Sequence, residues 1–205
     1  GDTLQARFTF NEEINYSSLL ISSNLSFINN DGDTFNPSFT YEYDVTSGTT
    51  EGNKYFYVKA SDPAGNPLNN GSWTLIGNAT VDRTDPTFTT NSCDVVVSSG
   101  YTTPQGIMAG KAGDTVNVDC NLAVNETLAG PIGLKIGGYE ATAQTCPGGY
   151  THCYYYQIAG TEGDGTKIIS VEAEDLAGNI STEDTGKRVV FDFTGPQLVY
   201  YNIYR

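Results

Sequence analysis

The residues of this chain best suited to chemistry are oxygen donors rather than nucleophiles. Asp62 and Asn66 stand in the run Asp-Pro-Ala-Gly-Asn, Asp82 and Asp85 stand in Val-Asp-Arg-Thr-Asp-Pro, and Glu126 follows Asn125. Carboxylate and amide oxygens of this kind suit Ca²⁺, a hard cation that takes about six to eight oxygens at roughly 2.3–2.6 Å. The expected site lies where two domains meet, with Asp62, Asn66, Asp82 and Asp85 converging on one ion and Asn125 or Glu126 closing the shell. A second set, Asp175, Asn179 and Asp192, has Gly195 where Asp85 has its counterpart, so it should be weaker or empty. The competing reading is that Asp62 and Asp175 each cap their own turn through backbone N–H groups, while the linker acids are simply solvated. The stretch at 29–33 lacks the closing Glu of an EF-hand loop, and Glu162-Gly-Asp164-Gly165 reads as a hairpin turn.

Catalysis finds little to work with. His152 is the single imidazole, and no nucleophile motif accompanies it. Paired acids for glycoside hydrolysis have no fixed spacing, but the acids here fall in duplicated turns and linkers. A non-catalytic protein is therefore expected.

The elements that must position these oxygens come in two copies. The strand end and turn Val58-Lys-Ala-Ser-Asp-Pro-Ala-Gly-Asn66 returns as Val171-Glu-Ala-Glu-Asp-Leu-Ala-Gly-Asn179. Gly1-Asp-Thr3 returns as Gly113-Asp-Thr115, Tyr43 as Tyr156, and Val81-Asp82 as Phe191-Asp192. A period of roughly 110 residues suits one small β-sandwich. Both copies are written in period two, as in Leu4, Ala6, Phe8 and Phe10 or Val116, Val118, Cys120 and Leu122, so one face of each strand is buried and the other wet. Turn-forming clusters of Gly, Asn, Asp and Pro separate the runs. The fold class predicted is all-β, with two tandem sandwiches at 1–86 and 87–196 and a further strand opening at 197–205. The first copy has no strand equivalent to the one at Cys93-Asp-Val-Val-Val97, and Trp73 falls in a late strand.

These motifs, a Gly-Asp-Thr opening, the Asp-x-Ala-Gly-Asn close and a last strand running into Val-Asp-x-Thr-x-Pro, resemble the bacterial Ig-like domain tandems of large surface adhesins over nearly the whole chain. The resemblance implies Ig-like sandwiches, calcium at or near linkers, neighbouring repeats as partners, and a role as stalk, spacer or recognition tip. The chain departs from antibody-type domains in lacking a mid-sandwich tryptophan and a sheet-bridging cysteine pair.

Four cysteines without Cys-x-x-Cys or Cys/His spacing point to an oxidising, extracellular setting. Strand parity pairs Cys93 with Cys120, both inward, and Cys146 with Cys153, the latter facing outward; the rival reading leaves one pair reduced in the core. A net charge of −14 excludes nucleic acid and anionic membrane as direct partners. It serves either solubility or cation binding. No apolar run approaches the ~20 residues of a spanning helix. Asn-x-Ser/Thr sequons occur at Asn15, Asn24, Asn70, Asn78, Asn125 and Asn179.

Two functions fit. One is a non-catalytic stalk segment of a surface-displayed adhesin, stiffened by calcium. The alternative is a module that binds a host or prey surface glycan or protein through exposed aromatics in the Tyr-rich stretches at 150–156 and 200–204, Tyr150 and Tyr155 above all. The tail from Leu198 to Tyr204, rich in β-formers, is expected to fill the first domain of a neighbouring copy.

Overall fold

The computed structural model describes residues 2–22, 28–29 and 38–201. Gly1, the Asn24 sequon, the acidic stretch at 30–33 and the tail residues 202–205 lie outside the described residues. The chain is all-β and divides into two compact units, Gly1–Arg83 and Thr84–Arg205.

In the first unit the strands are β1 (Thr3–Thr9), β2 (Leu20–Ser22), β3 (Ile28–Asn29), β4 (Ser38–Asp44), β5 (Gly52–Lys59) and β6 (Thr74–Val81). They form two sheets ordered β1-β4-β3 and β2-β5-β6. Alternation decides which side chains turn inward: Ala6, Phe39, Phe56, Val58 and Val81 are buried, while their chain neighbours are wetter. An aromatic cluster anchors this core, with Phe8 against Phe39 at 5.7 Å and against Tyr41 at 6.0 Å between ring centroids. Trp73 precedes β6 rather than lying within it, is 42% exposed, and carries the Lys59 ammonium 5.0 Å above its ring. A large ring that cannot fit an inward position is tolerated where a cation covers it.

The second unit contains β7 (Phe88–Val97), β8 (Tyr101–Thr102), β9 (Met108–Gly110), β10 (Thr115–Val124), β11 (Gly133–Ile136), β12 (Tyr139–Glu140), β13 (Thr142–Gln144), β14 (His152–Gln157), β15 (Gly165–Glu174) and β16 (Ile180–Phe191). One sheet runs β13-β14-β10-β7 and the other β12-β11-β15-β16-β9-β8. Val116, Val118, Leu134, Ile136, Ile169, Val171, Val189 and Phe191 are fully buried in one cluster drawn from both sheets. Gly110 in β9 lets that strand approach, because a Cβ there would stand 2.6 Å from the Ile158 side chain.

Pairing in the two units follows one register. Leu4 faces Tyr43 as Val116 faces Tyr156, Ile21 faces Val58 as Leu134 faces Val171, and Gly52 faces Val81 as Gly165 faces Phe191. The units differ at their edges. In the second, β10 pairs with both β14 and β7, and β16 with both β15 and β9. In the first, among the described residues, β1 pairs with β4 alone and β6 with β5 alone.

Candidate functional site

Asp62 and Asn66 form a closed turn. The Asn66 N–H donates to Asp62 Oδ1 at 2.7 Å, its side-chain amide donates to Asp62 Oδ2 at 2.6 Å, and Gly65 supplies the left-handed backbone at φ 90°. These bonds, the side-chain one foremost, hold the Asp62 carboxyl below its ordinary range. The second unit repeats the turn: Asp175 accepts from Ala177 N–H at 2.7 Å, Asn179 N–H at 2.9 Å and the Asn179 amide at 2.8 Å, with Gly178 at φ 88°. Asp175 is only 1% exposed. Burial pushes its carboxyl up, but the Asn179 side chain and the surrounding N–H groups prevail and hold it low. Both acids are thus spent on their own turns.

The register also separates residues expected to converge. Val81, just before Asp82, faces Gly52 at the start of β5, whereas Asp62 follows the far end of that strand. The length of β6 at ~3.3 Å per residue puts them roughly 23 Å apart, so Asp62 and Asn66 cannot share an ion with Asp82. The same correction applies to Asp175 and Asp192, which stand at opposite ends of β16. What the second unit brings together instead is Glu126 and Asp175, whose carboxylate oxygens lie within 4.8 Å. The Asn179 amide donates to Thr84 O at 3.4 Å, and Thr87 N–H donates to Asn125 Oδ1 at 2.8 Å, which fixes this cluster at the end where the unit's chain begins. Asp85 is exposed in the segment leading to β7.

Both expected disulfides are present, Cys93–Cys120 and Cys146–Cys153. Cys93 and Cys120 face each other on neighbouring strands of one sheet, 2% and 0% exposed. Cys153 keeps the outward parity of its strand, opposite Asp119 while its neighbour Tyr154 lies opposite the inward Val118, and it is nonetheless only 2% exposed. His152 Nδ1 sits 2.9 Å from Thr151 Oγ1, which in turn accepts from Leu122 N–H, and burial pushes the imidazole below its ordinary value.

The supposed hairpin turn at Glu162 is something else. Glu162, 6% exposed, accepts from Tyr156 Oη, Ala159 N–H and Gly160 N–H, each at 2.7 Å, and so curls the loop between β14 and β15 around its carboxylate. Thr49 does the same work in the first unit, 2% exposed and 3.0 Å from both Tyr43 Oη and Thr46 N. Tyr43 and Tyr156 were legible as a repeated pair; their polar partners were not, since Thr and Glu share no obvious pattern.

Among the concave features with mixed chemistry is a groove of about 730 Å³ in the second unit, lined by Asp94, Val96, Met108, Tyr150, Lys187 and Arg188 among others. The Tyr150 hydroxyl donates to Asp94 Oδ2 at 2.7 Å, which fixes the ring. That bond and the adjacent charge raise the hydroxyl above its ordinary pKa. Lys187 Nζ lies 3.8 Å from Asp94, and Arg188 makes two bonds to Asp184 at 2.8 and 2.7 Å. Val96, 55% exposed, gives the groove an apolar wall. Tyr155 is also exposed, at 40%, while Tyr154 points into the core and donates to Ile132 O at 2.7 Å. An aromatic face beside carboxylate, ammonium and guanidinium groups is the equipment of a polar-ligand site.

No protein-family model and no curated protein matches the sequence. Among solved structures, the chain is similar to the Bacteroides ovatus mixed-linkage glucan utilization locus SGBP-B in complex with mixed-linkage heptasaccharide, at 13% identity and a TM-score of 0.26. The match covers 93% of this chain and 41% of that one, so the chain spans about two fifths of that protein's length.

Proposed function

We propose that this chain is a non-catalytic, extracellular recognition protein built from two tandem Ig-like β-sandwich modules, and that the groove beside Tyr150 in the second unit takes a glycan. The observation that carries the reading is the Tyr150 ring, pinned by Asp94 within a groove that also offers Lys187 and Arg188. A sugar ring stacks on an aromatic face while its hydroxyls bond to fixed charged groups at the rim. The two disulfides support an oxidising compartment. The whole chain on a glycan array is expected to retain a defined set of oligosaccharides. Tyr150→Ala and Lys187→Ala should each weaken that binding about tenfold, the equivalent of about 1.4 kcal/mol. An array without retained glycans, or variants that bind like the parent, would remove the reading.

The shared register of the two units favours a second role, as serial spacer modules of a longer surface protein. Calcium binding stays a proposal drawn from the acidic sequence. If it holds, melting in excess Ca²⁺ shifts upward by the equivalent of about 2.7 kcal/mol at a hundredfold excess over Kd, and a chelator reverses the shift. Identical melting in both conditions would mean the acids are only solvated.

A further inference from the structure

We propose that the glycan site runs out of the groove and over the outer face of the sheet β13-β14-β10-β7, with Tyr155 as a second stacking surface, so that it takes an uncharged linear oligosaccharide lying across the strands. The inference rests on the recognition reading of the Tyr150 groove and names the kind of ligand that the groove admits.

Strand register puts the pieces on one face. Asn117 of β10 stands opposite Val96 of β7 on one side and opposite Tyr155 of β14 on the other, and Tyr155 in turn stands opposite Thr142 of β13. Directly opposed residues share a face of the sheet, and Val96 is the apolar wall of the groove, so this row leads from the groove across to Tyr155. In the next outward row, two residues along each strand, Asp94 stands opposite Asp119 and Asp119 opposite Cys153. The Tyr150 hydroxyl donates to Asp94, which holds that ring on the same outer side. At ~4.8 Å from strand to strand, Tyr155 lies about 10 Å from Val96. One sugar ring cannot reach from the groove to Tyr155, whereas a linear chain of several can.

The chemistry of the face fits a sugar chain. Tyr155 is 40% exposed, while its neighbours Tyr154 and Tyr156 turn toward the core. An exposed ring flanked by hydroxyl and amide groups offers a flat apolar surface with polar partners at its edge. Asn117, between the two ends of the row, accepts from the Gln144 amide at 3.3 Å, which fixes its orientation. Of the outward positions on the four strands, only Asp94 and Asp119 are charged, and Asp94 is engaged by Tyr150 and Lys187. On a chain of net charge −14, a face of amides, hydroxyls and an aromatic ring matches an uncharged ligand and disfavours an acidic one.

Calorimetry on the whole chain tests this, with the oligosaccharide series that the array retains, from disaccharide to hexasaccharide, as the probes. The expected result is an affinity that rises about tenfold over the series as the sugar chain reaches Tyr155. Tyr155→Thr, which keeps a good strand former at an exposed position, should abolish that gain, and Tyr155→Phe, which keeps the ring, should preserve it. Affinity for the hexasaccharide should change less than twofold between low and physiological salt, as binding without charge pairs requires. A parent whose affinity ignores length, a Tyr155→Thr variant with the parent's gain, a Tyr155→Phe variant without it, or a steep fall with salt would each overturn the proposal while leaving recognition at the groove in place. An array that retains no glycan removes the recognition reading itself, and this extension with it.

Discussion

Replacing Cys93 and Cys120 together with alanine is expected to lower the stability of the second unit by about 3.5 kcal/mol, and replacing Cys146 and Cys153 by only about 2. The difference follows from loop-closure entropy in the unfolded chain, since the first bridge spans 27 residues and the second only 7. Position adds to it. The first bridge ties two buried cysteines on adjacent strands of the main core, whereas the second staples a loop to the beginning of β14. Urea unfolding followed by far-ultraviolet circular dichroism reads the loss, while Trp73 fluorescence, whose source lies in the first unit, should keep its midpoint. An equal loss for both pairs, or a larger one for the short loop, would refute the ordering.

Glu162→Ala should cost the second unit about 3 kcal/mol. The carboxylate is buried and accepts three hydrogen bonds, so its removal leaves the Tyr156 hydroxyl and the Ala159 and Gly160 N–H groups without their acceptor. Melting should fall by roughly 10–20 °C for a unit of this size. The pH dependence carries a second signature. Burial pushes the Glu162 carboxyl up, but Tyr156, Ala159 and Gly160 outweigh it and bring the folded value down to about 2, against 4.5 for an unperturbed Glu. Between those values the unfolded chain binds the additional proton, so stability rises with pH across that window. The contribution is fully present above about pH 4.5 and is lost as pH falls toward 2. Glu162→Gln should flatten this part of the profile. If Glu162→Ala stays within about 0.5 kcal/mol of the parent, the carboxylate is not what organises the loop.

Strand identity was legible because period-two alternation reports which face of a strand is buried, as Leu4, Ala6 and Phe8 or Val116, Val118 and Cys120 show. The disulfide pairing followed from the same parity, with Cys93 and Cys120 both inward. Alternation says nothing of which end of a sheet a turn occupies. That depends on the lengths of β5, β6 and β16, and for this reason Asp62 was joined to Asp82 and Asp175 to Asp192 across distances the strands forbid. Glu162 was hidden for another reason: its burial arises from the curl of Ala159 and Gly160 toward it, which no residue type announces. The groove was half visible. Tyr150 could be picked as a surface ring, but Asp94 and Lys187 lie far from it in sequence and join it only through the sheets that β7 and β16 complete.

The bridge across β7 and β10 also decides how the second unit would respond to mechanical load. A pull applied at its first strand travels from Phe88 to Cys93 and then crosses the sulfur atoms directly to Cys120. The residues between the two cysteines, with β8 and β9, are bypassed and never come under tension. Fully drawn out they would span about 90 Å at ~3.3–3.6 Å per residue, a hidden length that only a reductant releases. Extensibility of this unit is therefore set by the redox state of its surroundings, short in an oxidising medium and long in a reducing one.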